Sequence, residues 1–91
     1  MEKTAIQAYY EDTRKSLMDN ITALRSLVHQ ARALSDAIQQ LSQTPDIDPN
    51  VVKQVEGALK SLFTSIDELT DKVSVLFDNY GKLSEQLFPD N

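Results

Sequence analysis

His29 is the only histidine in this chain of 91 residues, and Arg25 and Arg32 lie one helical turn to either side of it. Side chains three or four apart share a helix face, so these three would form a small anion patch, or simply a solvated charged face. Metal-carrying bundles use Glu-x-x-His pairs on facing helices, which a single histidine does not supply. Asp46, Asp48 and Asn50 alternate like the opening of an EF-hand loop. Val51 stands where that loop needs its turn glycine, however, and Gly57 stands where it needs a bidentate glutamate. Asp67 and Asp71, with Glu68 beside them, put carboxylates on one helical face. General acid-base work needs a raised pKa, and no apolar surroundings are at hand to raise one. Asn20-Ile21-Thr22 has the pattern of a glycosylation acceptor but falls in the middle of a helical stretch. The chain has no cysteine, which removes disulfides, zinc-thiolate sites and cysteine nucleophiles. No catalytic residue, metal or cofactor is expected.

The totals set the scale of the fold. Hydrophobic residues make up 41% and charged residues 25%, a globular balance in a chain of single-domain length. Two glycines and three prolines are too few for a turn-rich β fold and favour long helices. No apolar run reaches the roughly 20 residues of a membrane span. The opening, MEKTAIQAYYEDTRKS, lacks the basic-then-apolar order of a secretory signal. A soluble, cytoplasmic protein is expected, with leaderless export as the open alternative. The net charge of −5 comes entirely from the second half, where nine acids face four lysines. Nucleic-acid binding surfaces carry the opposite sign, so no nucleic-acid partner is expected.

Two helices must position whatever this chain does. The division falls at SQTPDIDPNVV. Pro45 disfavours helical dihedrals at Thr44, while Asp48 before Pro49 is a start signal, a capping carboxylate followed by a proline suited to the first helical position. Thr4 with Gln7 fits a capping box at the front, and Pro89 ends the pattern. The reading is an all-α antiparallel hairpin, with helix one over about 5–43, a loop at 44–48 and helix two over about 49–87. In helix two, apolar residues follow steps of three and four without a miss from Val52 to Leu87, the repeat of a left-handed supercoil. Phe63 and Phe77 lie beside that line and widen it toward a bundle face. In helix one, Tyr10, Leu17, Leu24, Ala31 and Ile38 recur every seven residues. Their flank moves from Ile21 and Val28 to Leu27, Leu34 and Leu41, which predicts a phase shift near residue 28. Gly81 predicts fraying or a kink in helix two.

Two helices alone cannot cover stripes this wide. Leaving either phenylalanine in water forgoes about 1.5 to 3 kcal/mol, against ordering costs of roughly 1 to 2 kcal/mol per residue. Association into a four-helix bundle is therefore expected, from two hairpins or with helices of another protein. The partner-binding residues predicted are Phe63, Phe77, Leu27, Val28 and Leu34, with Tyr9 as a contact anchor near the N-terminal tip.

The turn TPDIDPNVV resembles the turn before the second helix of helical chorismate mutases. That family implies an Arg-Glu pair after the turn, a lysine before it and a glutamine near the end. Here Asn50 and Val51 follow the turn, no lysine lies between Lys15 and Lys53, and Gln86 alone matches. A small bundle enzyme is accordingly the weakest reading. In size and hairpin architecture the chain resembles the small secreted WXG-type hairpins and the needle or chaperone components of bacterial secretion systems, although it has no tryptophan. That resemblance implies an exported substrate or its chaperone as an alternative. The main expectation is a non-enzymatic interaction module whose partner is protein, its own copy or a helical one.

Overall fold

Pro45 and Pro49 bracket the reversal of the chain, and residues just before and between them close the two helix ends. The computed structural model describes residues 3–89: α1 runs over Lys3–Ser42 and α2 over Pro49–Leu87. Asp48 has extended dihedrals, and its carboxylate accepts the Asn50 amide at 2.9 Å. That bond satisfies one of the free donors at the start of α2. At the end of α1, the Ser42 hydroxyl donates to the Gln39 carbonyl at 2.7 Å and the Thr44 hydroxyl to that of Gln40 at 2.9 Å. Asp46 takes the left-handed conformation, φ 60°, which aspartate tolerates better than most side chains. Past Leu87 the Phe88 amide donates to the Ser84 carbonyl at 2.8 Å, and Pro89 prevents continuation.

The two helices pack against each other into a rod of 67 × 19 × 14 Å. On α2 the expected seam is the half-covered line. Val52, Leu59, Ile66, Val73, Tyr80 and Leu87 form one row of it, and Val55, Leu62, Leu69, Leu76 and Leu83 the other. Gly81 does not interrupt α2, and a side-chain carbon there would meet nothing within 4 Å.

Two expectations for α1 are corrected. The helix begins at Lys3, so Thr4 lies inside it rather than capping it. The seam also keeps one phase throughout. Its rows are Tyr10, Leu17, Leu24, Ala31, Ile38 and Ile6, Thr13, Asn20, Leu27, Leu34, Leu41, all half-buried or buried. The apparent shift at residue 28 arises because polar Thr13 and Asn20 occupy two seam positions, which hides the second row from a hydrophobicity reading. Asn20 is accommodated locally: its amide donates to the Ser16 carbonyl at 2.6 Å.

Candidate interaction face

The open end of the hairpin fixes how the two helices are turned toward each other. Tyr10 and Tyr80 stack with ring centroids 5.0 Å apart and an interplanar angle of 24°, and their hydroxyls share a hydrogen bond of 2.9 Å. Phe88 meets Tyr10 edge-on at 6.0 Å. The hydrogen bond to Tyr80, followed by desolvation, raises the Tyr10 pKa above its ordinary 10.0, with Arg14 pulling weakly the other way. Tyr10 and Tyr80 both belong to the first seam row of their helix. Tyr10 and Leu87, again both first-row, line one groove. Leu27 and Leu69, both second-row, line another with Ser65 and Lys72. First rows thus share one side of the rod and second rows the other, as an antiparallel pair requires.

This orientation decides where the shoulder residues go. Ile21 and Val28 follow first-row residues of α1 by four positions, and Phe63 and Phe77 do the same on α2. All four therefore lie on one side of the rod. Counting inward from the Tyr10–Tyr80 rung, one residue forward on α1 is one back on α2. Val28 is then level with Leu62 and Phe63, Ile21 with Leu69 and Thr70, and Phe77 with Thr13 and Arg14. The result is an apolar strip about 20 Å long at 1.5 Å per residue. Phe63 is 52% and Phe77 63% exposed, while Ile21 and Val28 are half-buried. Met18 stands at the edge of the strip, also exposed.

Leu27 and Leu34 are half-buried in the second seam row, on the side of the rod away from Phe63 and Phe77, and Leu27 lines an open groove there with Leu69. Tyr9 is exposed near the open end, beside the second row, and is thus on the side opposite Phe63 and Phe77. Phe88 packs edge-on against Tyr10. Ile21 and Met18 are the two residues of this face that the sequence pattern alone does not single out. Ile21 was visible as a flank of the seven-residue line, but its side of the rod depended on the partner helix.

The residues with chemical potential are spread over the outside. Arg25, His29 and Arg32 edge an open groove whose floor is Ile21, Leu24 and Val28, so the two arginines border the apolar strip on its α1 side. Asp67, Glu68 and Asp71 are exposed on α2, and the Asp48 carboxylate is engaged as a helix cap. Among the described residues, no three of His, Cys, Asp or Glu are grouped to hold a metal ion. No helix among them is long and apolar enough to cross a membrane. No protein-family model, curated protein or solved structure matches the chain.

Proposed function

We propose that this chain is a non-enzymatic protein–protein interaction module, an assembly subunit, adaptor or inhibitor, acting through the strip of Phe63, Phe77, Ile21 and Val28. Helices from outside the chain complete it into a four-helix bundle. The observation that carries the reading is the distribution of burial. Only Leu17 and Ala31 are buried among the described residues, at 5% and 7% exposure, whereas both phenylalanines keep more than half of their surface in contact with solvent. An apolar strip bordered by charge is the composition of a recognition surface, and aromatic side chains at its centre are the usual anchors. Covering the strip would add to a fold whose own interior is thin, so binding and folding reinforce each other.

The test replaces Phe63 and Phe77 together with serine and compares the variant with the wild type. Sedimentation equilibrium follows self-association, and affinity capture from the native host follows other partners. Loss of the assembled species or of the retained protein is expected. A wild type that is a cooperatively folded monomer, retains no protein and is unaffected by the double substitution would refute the reading.

A further inference from the structure

The two long edges of the apolar strip carry opposite charge. Along α1 the strip is bordered by Lys15 and Arg25, with Arg14 continuing the line of Ile21 and Val28 toward the open end, and along α2 by Asp67, Asp71 and Asp78, all exposed. We infer that the occupant of this face is a second copy of the chain, docked by a two-fold axis parallel to the rod so that α1 of each copy lies along α2 of the other. The inference rests on the reading of the strip as an interaction surface and names what covers it.

A rotation about an axis parallel to the helices exchanges left and right but keeps every residue at its own level. Phe63 of one copy then lies against Val28 of the other, and Thr70 against Ile21. Phe77 meets the stem and guanidinium of Arg14, a group that packs well on an aromatic face. Arg25 lies within two residues of the level of Asp67 of the other copy. Arg14 and Lys15 lie between the levels of Asp71 and Asp78. Because the operation is two-fold, each of these pairings occurs twice. Every neighbouring pair of helices in the resulting bundle is antiparallel.

The other way to join two such faces, with the axis across the rod, lays α1 on α1 and α2 on α2. Centred on the strip, it sets Arg25 against Arg14 and Lys15, and Asp67 against Asp71, so that like charges meet beside the apolar contact. In the parallel-axis arrangement like charges meet only at the strip's ends, Arg32 with Lys60 toward the turn and Glu11 with Asp78 toward the open end. Charge patterns of this kind select partner and orientation more than they add raw affinity. Here the pattern selects the same chain, turned so that its halves cross.

The experiment measures the dimerisation constant of the full chain by sedimentation equilibrium for Arg25→Glu, Asp67→Lys and the double variant. Circular dichroism checks that each is as helical as the wild type. Both residues are exposed, so neither change disturbs the seam. Each single reversal is expected to weaken dimerisation by about tenfold, since symmetry applies the change twice, and the double variant to recover most of the loss. If Arg25→Glu strengthens association or leaves it unchanged, or if the double variant does not recover, the crossed arrangement is overturned. A monomeric wild type that retains a different protein through Phe63 and Phe77 overturns the second copy as occupant but leaves the interaction reading standing. A monomer that retains nothing overturns both.

Discussion

Leu17 and Phe77 sit at opposite extremes of burial in one rod, and shortening each to alanine separates the hairpin's own stability from that of its assembly. Leu17 is 5% exposed and lies in the seam, so Leu17→Ala removes covered surface and leaves a gap, a change that costs about 2 to 3 kcal/mol at the lower end of core truncations. Phe77 is 63% exposed, which leaves roughly a third of the residue covered within the hairpin. Full burial of a phenylalanine is worth about 2 to 3 kcal/mol, so Phe77→Ala costs a lone hairpin about 1 kcal/mol or less. In an assembly that covers the ring, the same substitution costs about 2 kcal/mol or more. Urea unfolding followed by circular dichroism at about 5 and about 500 µM chain distinguishes the cases, because dimerisation makes stability rise with concentration. The expected outcome is a Leu17→Ala cost that is large at both concentrations and a Phe77→Ala cost that grows with concentration. A Phe77→Ala cost of about 1 kcal/mol or less at both concentrations, with concentration-independent midpoints, would refute the argument that the strip is covered by a second copy. A negligible Leu17→Ala cost would refute the seam itself.

Other perturbations test the hairpin locally. Asp48→Ala removes the cap on the Asn50 amide and is expected to lower stability by about 1 kcal/mol in the same unfolding assay, while Asp48→Asn retains most of it. Gly57 is exposed in the interior of α2, and an added side-chain carbon meets nothing within 4 Å. Gly57→Ala should therefore stabilise the chain by up to about 1 kcal/mol, seen as a higher urea midpoint. The pKa of Tyr10 is raised by its hydrogen bond to Tyr80, so folding favours the neutral phenol. The associated stability is full below the unfolded value near 10.0 and is lost as pH rises through the higher folded value. Between about pH 8 and about pH 11 the wild type should lose more stability than Tyr10→Phe, measured by thermal melts of both.

Much of this architecture was legible before any coordinates, because it depends on interactions short in sequence. The turn follows from Pro45, Asp48 and Pro49, each acting on its own or adjacent backbone. The α2 seam follows from a repeat in which every position is apolar, so its period survives any reading of hydrophobicity. The α1 seam was harder, since Thr13 and Asn20 are polar residues at covered positions. Periodicity that counts only apolar side chains skips them and assigns the neighbouring shoulder, Ile21 and Val28, to the line. A start at Thr4 was misplaced for a similar reason: a capping pattern is a local preference, and α1 extends past it to Lys3.

The candidate face belongs to a different class of information. That Phe63 and Phe77 stand beside the α2 seam is a matter of counting along one helix. That Ile21 and Val28 join them, while Leu27, Leu34 and Tyr9 do not, depends on how α1 is rotated about its own axis against α2. Both flanks of α1 are apolar near residue 28, and the energy that chooses between them lies in the pairing across the rod, at Tyr10 with Tyr80 and along the two seam rows. Secondary structure is set by neighbours within a turn or two and is written into the chain at that range. Which shoulders share a side is set by residues seventy positions apart, and only the packed pair of helices brings them into contact.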